Sequence, residues 1–334
     1  MIIEIPCWVA HYNQLLYSAL KFAEFNRIDL KVMLNKSLPV GGLILKHNNK
    51  SVFLDYSDDT AFVDNHDKYD FYFKRSLAKA DFHTNIFPLN FQINFAYKPL
   101  LLLTKMQKSI LFDRRSKVEL IRAVDFLSLF TNDSHVSKKI DNFQKKSISK
   151  SSDGRVIFMS RLWDDGRANS PDEKQRRLAQ NDFRVNACRI IRKEFPNAIV
   201  GLYPDSFAKK VAPDVLLNME VTSKKNYLKT LKDCDIAIAD DGLKDTPGWK
   251  IGEYVVAGKA IISTPINIEI ENFREGVNYL STGDRGNYEI LPELINNLLV
   301  NKTYENVQKQ NEIWYESNLE PVMYIQKIIN IIGG

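Results

Sequence analysis

Two carboxylates eight residues apart, Asp245 and Glu253, bracket the segment Asp245-Thr-Pro-Gly248-Trp249-Lys250-Ile-Gly-Glu253. The pattern predicts a polar, Gly-bearing loop, a short helix opening near Trp249, a turn at Gly258 and a buried strand, Ala260-Ile-Ile-Ser-Thr. Free N–H groups at a helix start offer a seat for phosphate. A carboxylate on such a helix can accept hydrogen bonds from both hydroxyls of a ribose. Just upstream, Asp240 and Asp241 leave an apolar strand at its exit, where ligands of open α/β sheets sit. In the first half, Leu54-Asp55-Tyr-Ser-Asp58-Asp59 ends one strand and Tyr72-Phe-Lys74-Arg75 ends the next. At neighbouring ends of parallel strands, Asp55 or Asp58 would orient an acceptor hydroxyl or serve as a base, and Lys74 or Arg75 would offset phosphate charge. A surface Asp–Arg network explains the same residues equally well. His11 follows the first strand, and a lone histidine is more often structural than catalytic.

The elements that must position these groups are clearest in the second half. Val156-Ile-Phe-Met-Ser is an apolar run suited to a buried parallel strand. From Asp172, Phe183, Ala187, Ile190, Ile191 and Phe195 mark one face of a long helix that Pro196 ends. Strands follow over 198–203, more weakly near 219–222, and over 235–239, with a short helix over 225–231. Alternation at this spacing predicts a parallel, doubly wound sheet. The first half is less regular, with strands expected over 2–5, 30–34, 51–55 and 69–73, a helix over 15–25 and an apolar helix over 120–130. Val322, Ile325, Ile328, Ile329 and Ile332 give the last helix its apolar face.

Composition bounds the function classes. The 334 residues are enough for two domains, 44% apolar and 26% charged residues describe a globular chain, and a net charge of +5 favours phosphate-bearing ligands or an anionic membrane surface. Cys7, Cys188 and Cys234 lie far apart with no metal-ligand spacing, which fits a reducing compartment. The N-terminus lacks a basic lead and a long apolar run, so a cytoplasmic location is expected. No Gly-x-Gly-x-x-Gly or P-loop pattern is present. Asp233-Cys-Asp235 has the spacing of a metal-binding Asp-x-Asp but stands at the start of a strand, so no metal is assigned. The basic stretch 138–150 carries little aromatic interleaving, so nucleic acid is not expected.

The pair Asp245 and Glu253, with the Tyr-Val-Val-Ala-Gly-Lys-Ala-Ile-Ile run behind it, resembles the acidic-x7-acidic signature of retaining glycosyltransferases of the GT-B fold. In that family the second acid holds the nucleotide ribose, which corresponds to Glu253; the first position here is Asp245 rather than Glu. Ile157-Phe-Met-Ser-Arg161-Leu resembles the Gly-Arg-Leu strand end whose Arg reaches the donor diphosphate. A guanidinium suits that task because its planar fork pairs two phosphate oxygens. The family's following Lys is missing; Arg167 falls one residue late, and Lys250 is a further cation for the phosphates. Gly248 and Trp249 complete the implied donor site, Trp249 being a packing anchor for the helix start more readily than a sugar platform. Phe273-Arg-Glu-Gly-Val-Asn278 resembles the family's next loop, so the likeness covers residues 155–282.

The resemblance implies an α/β, GT-B chain with two Rossmann-like domains facing a cleft. Its parts would be an acceptor-side domain over 1–140, a linker over 141–154, a nucleotide-sugar domain over 155–318 and a C-terminal helix over 319–334 that crosses back. It implies transfer from a nucleotide-diphosphate-sugar donor to a carbohydrate or lipid-linked glycan acceptor in cell-surface polysaccharide synthesis, without a metal or cofactor. Peripheral association with the inner face of the membrane fits the acceptor class. A nucleotide-sugar epimerase of similar plan and a non-catalytic nucleotide- or glycan-binding module remain the alternatives.

Overall fold

A computed structural model describes residues 1–125, 139–140, 154–242 and 244–333. The expected linker over 141–154 lies almost wholly outside them, as does the end of the helix expected over 120–130. The chain divides into two compact units, one of Met1–Asn142, Asn267–Asn272 and Trp314–Gly334, the other of Phe143–Ile266 and Phe273–Ile313.

The first unit is built on a six-stranded mixed sheet. Ile2–Ile5 (β1) pairs in parallel with Lys31–Leu34 (β2) and antiparallel with Gly42–His47 (β3). Strand β3 folds back on Lys50–Asp55 (β4) through Asn48 and Asn49, both at positive φ. Asparagine tolerates that region, and a two-residue turn of this hand matches the strand twist. Tyr72–Lys74 (β5) and Ile86–Pro88 (β6) then add in parallel. Neither β3 nor β6 is among the strands expected from sequence. Between β1 and β2, helix α1 (Asn13–Asn26) buries Leu16, Ala19, Leu20 and Ala23, the face its spacing predicts. Phe53 stacks on Tyr69 and Tyr72, with ring centroids 4.5 and 5.0 Å apart, and anchors one side of the sheet. Pro99–Lys105 (α2), Lys108–Leu111 (α3) and Lys117–Val124 (α4) follow.

The second unit carries a five-stranded parallel sheet: Val156–Ser160 (β7), Ile199–Leu202 (β8), Ile236–Ala239 (β9), Ala260–Ser263 (β10) and Tyr279–Ser281 (β11). The spatial order is β11-β10-β9-β7-β8, so the order in which strands are added reverses between the parallel neighbours β7 and β9. Strands β7, β9 and β10 are buried at every position, which is why they read as unbroken apolar runs. Pro171–Glu194 (α5) starts in a capping arrangement: the Ser170 hydroxyl accepts from the Glu173 amide at 3.1 Å, Pro171 opens the first turn and Arg192 and Lys193 close the last. Phe183, Ala187 and Ile191 of α5 pack into the core with Phe158, Ile238 and Ile262. A fully buried side chain of this kind contributes about 1.5–3 kcal/mol.

Ser206–Val211 (α6), Lys224–Lys232 (α7), Trp249–Val256 (α8) and Leu291–Leu299 (α9) cover this sheet's connections. The strand expected near 219–222 is instead a turn with Met219 exposed, despite the alternation of Met219, Glu220, Val221 and Thr222. The chain returns to the first unit within Tyr304–Asn318 (α10), and Pro321–Ile331 (α11) packs on α1, with Lys21 bound to Glu320 at 3.1 Å. Among the described residues, no helix is long and apolar enough to cross a membrane.

Candidate functional site

In a doubly wound sheet the carboxyl ends of the strands on either side of the reversal form a natural ligand crevice. Here those strands are β7 and β9, and charged groups converge at their exits. Asp240 follows β9 and takes the Arg184 guanidinium at 2.5 Å; the same guanidinium donates to the Arg161 carbonyl after β7, also at 2.5 Å. One buried arginine on α5 thus ties the two strand ends together.

The neighbouring carboxylate, Asp241, is buried and takes Arg285 Nε at 2.8 Å, while its backbone N–H donates to Thr264 Oγ1 at 3.0 Å. Burial pushes its pKa up to about 6, against the pull of Arg285 and with the repulsion of Asp240 and Asp245. Arg285 also forms an ion pair with Asp245, whose Oδ1 lies 2.8 Å from Arg176 Nη2. Asp245 has φ +57°, a left-handed conformation that aspartate adopts more readily than most residues.

Helix α8 opens at Gly248, which has no side-chain oxygen and leaves the first turn uncapped by a side chain. Trp249 and Lys250 follow at its start. Desolvation pulls the Lys250 pKa down to about 8, with Asp240 and Glu253 acting in the opposite sense and Arg184 and Lys224 reinforcing it. The Tyr227 ring centroid is 5.0 Å from Lys224 Nζ and 5.8 Å from Lys250 Nζ. Glu253, one turn into α8, is buried and bound by Lys224.

The structure therefore brings Asp240, Asp241, Asp245, Gly248, Trp249, Lys250 and Glu253 into one strand-end region with Arg184 and Arg285. Arg161 stands at the same strand exit, exposed, with its guanidinium 5.0 Å above the Tyr203 ring. Arg167 is different: its side chain is 83% exposed and pairs with Asp164 at 3.0 Å, a local surface contact.

Arg176, Gln180, Arg184, Lys224 and Arg285 were not singled out from sequence. For three of them a signal existed. Arg176, Gln180 and Arg184 recur every fourth residue on α5 and meet Asp245, the Asp241 carbonyl and Asp240 in turn. A polar stripe beside the apolar face of one helix marks a second buried edge. Lys224 and Arg285 come from loops and helix starts distant in sequence, and no local spacing reveals them.

The first-unit candidates separate into two groups. Asp55 and Lys74 are opposite each other in the β4–β5 register and both side chains are 0% exposed, 3.0 Å apart. Asp55 also accepts from the Ser57 N–H and hydroxyl, the Val63 N–H and the Tyr72 hydroxyl. The expectation that this acid and cation face a ligand is corrected: the carboxylate's acceptor sites are filled and it is sealed from solvent. Asp58 is half-exposed and binds the buried Arg75, with His11 Nδ1 4.0 Å from the same oxygen. Burial first, and then Arg75, lower the His11 pKa to about 4, so the imidazole is neutral at pH 7.

Among the described residues no group of three or more His, Cys, Asp or Glu is arranged to hold a metal ion. No protein-family model matches the chain, and no curated protein matches it in sequence. Solved structures overlay on it loosely. The S. aureus TarM structure is 12% identical over 92% of this chain and 51% of its own, with a TM-score of 0.42. The C-terminal domain of the group 1 family glycosyl transferase LpcC from Francisella tularensis is 11% identical over 54% of this chain and 96% of that domain, with a TM-score of 0.35. The pneumococcal O-GlcNAc transferase GtfA, in complex with UDP and GlcNAc, is 12% identical over 95% of this chain and 55% of its own, with a TM-score of 0.36. This chain spans about half the length of TarM and GtfA. Overlap at this level assigns no role to any residue, and the functional reading rests on the chain's own geometry.

Proposed function

We propose that the chain is a glycosyltransferase that takes a sugar from a nucleotide-diphosphate donor, with the second unit holding the nucleotide. The observation that carries this is the meeting of Arg184, Arg285, Lys250 and the start of α8 at the β7 and β9 exits, where the strand order reverses. A departing diphosphate needs fixed positive charge, and guanidinium, ammonium and helix N–H groups offer it in place. Arg161, exposed at the same exit, would reach phosphate from the solvent side. Glu253 would hold the ribose, with Lys224 fixing its carboxylate. The acceptor, in this reading a carbohydrate or lipid-linked glycan of a cell-surface polysaccharide, is taken from the family resemblance, as are the GT-B arrangement, the absence of a cofactor and the cytoplasmic, membrane-peripheral setting.

The test is isothermal titration of the full chain with a panel of nucleotide-diphosphate sugars, repeated with Glu253→Gln. One donor should bind, and the variant should lose on the order of 1–3 kcal/mol of that affinity, the range of a hydrogen bond to a charged group. The loss should be much smaller for the 2′-deoxy donor, which lacks one of the bonds. No binding by any donor, or equal losses for ribo and deoxy donors, would remove the reading.

A further inference from the structure

Arg176 and Arg285 come from different elements, α5 and the loop after β11, yet both bring Nη2 within ion-pair distance of one buried oxygen, Oδ1 of Asp245, which makes no well-aligned hydrogen bond. Arg285 is also held from behind. Its Nε meets Asp241, a carboxylate only 7% exposed and fixed through its backbone N–H to Thr264. Asp245 closes the pair from the front, with a side chain 45% exposed. Its loop is short and pinned at both ends, Asp241 bridging Pro247 and the Gly242 N–H donating to the Thr246 carbonyl. Two guanidinium groups are balanced here by two carboxylates, Asp241 and Asp245, so displacing the half-exposed Asp245 would leave one net positive charge between the arginines. A single aspartate oxygen also uses few of the donors that two planar forks present. A phosphoryl group, with three oxygens and up to two charges, matches that set better.

We propose that Arg176 and Arg285 form an anion seat for a phosphoryl group, and that the Asp245 carboxylate is its built-in competitor, so that phosphate and Asp245 exclude one another. The inference rests on the reading of this region as a phosphate-binding site. It departs from the family pattern at one point: Asp245 would not touch the donor but would have to leave for the donor to dock. The competitor weakens binding and gives a means of release, because the returning carboxylate re-pairs both arginines as the diphosphate departs. Asp241 keeps Arg285 oriented in either state.

The test titrates inorganic diphosphate, and separately uridine diphosphate, into the full chain and into Asp245→Asn, Arg285→Gln and the double variant. Removing the competing charge should tighten inorganic diphosphate about tenfold, and Arg285→Gln should weaken it by about the same factor, each equivalent to about 1.4 kcal/mol. In the double variant the gain from Asp245→Asn should vanish, since the two residues act on one seat. A gain with uridine diphosphate but not with inorganic diphosphate would place the effect on the nucleoside and overturn the proposal. So would a weaker or unchanged Asp245→Asn, or no diphosphate binding by any form. Should Asp245→Asn melt well below the parent, Asp245→Ser carries the same comparison. Inorganic diphosphate has no sugar or base, so failure of every donor sugar would sink the glycosyltransferase reading and leave its result standing.

Discussion

Both units place an acid and a cation where parallel strands end, yet the two constellations have opposite characters. In the first, Asp55 and Lys74 face each other with no exposure, and the Ser57, Val63 and Tyr72 donors fill the remaining acceptor sites of the carboxylate. In the second, Asp241 and Asp245 share Arg285, Arg176 joins them, and exposure rises from the inner acid to the outer. The difference teaches that charge alone does not mark a ligand site. A saturated, dry ion pair keeps the fold, whereas guanidinium groups with donors to spare and a path to solvent can exchange one anion for another.

The most severe test of that contrast is Lys74→Met. Removing the cation strands the Asp55 charge in the interior, and the chain should lose about 3–5 kcal/mol of stability in a urea melt. A loss under about 1 kcal/mol would mean that water reaches Asp55, and the contrast would collapse.

Asp241→Asn probes the other constellation through pH. The folded pKa of about 6 lies above the ordinary 3.8, so between these values the folded chain holds a proton that the unfolded chain has lost. The stability tied to Asp241 is therefore complete at low pH and disappears as pH rises through 6. The neutral variant escapes that loss. Its stability relative to the parent should improve by roughly 1–3 kcal/mol between pH 4 and pH 7, then level off. A difference that does not change with pH would show that Arg285 fully compensates the buried charge.

The smallest effect is expected at His11, and its sign is reversed. Its folded pKa, about 4, lies below the ordinary 6.5, so over that window the unfolded chain binds the extra proton and stability rises with pH. In His11→Gln this rise should flatten in melts collected from pH 4 to 7. Because the imidazole is half-exposed, solvent screens much of the effect. A profile identical to the parent's would leave His11 without an electrostatic part in the unit.

Local spacing made much of the second unit legible. Strands β7, β9 and β10 are apolar runs because both faces are covered, α5 carries its start and stop in Ser170, Pro171 and Pro196, and Gly258 turns at φ +61° as a glycine can. The first unit was harder. Strand β3 includes Lys46 and His47 and β6 is three residues long, so neither has a clear period, and the Asn48-Asn49 turn that joins β3 to β4 contains no glycine to mark it.

What the sequence determined by itself was the α/β class and the segment from Asp240 to Glu253 as the chemically charged place, since hydrophobic period and loop composition are properties of neighbouring residues. Only the tertiary structure decided which charges are available. Asp55 and Asp245 look alike as acids near a strand end, but one is enclosed by donors from β5 and the 57–63 loop and the other is met by arginines from α5 and the loop after β11. The arginines lie tens of residues from Asp245 along the chain, and the donors around Asp55 come from as far as Lys74, 19 residues on. Their distance in space, and the water they admit or exclude, fixes whether a carboxylate holds the fold or yields its place to a ligand.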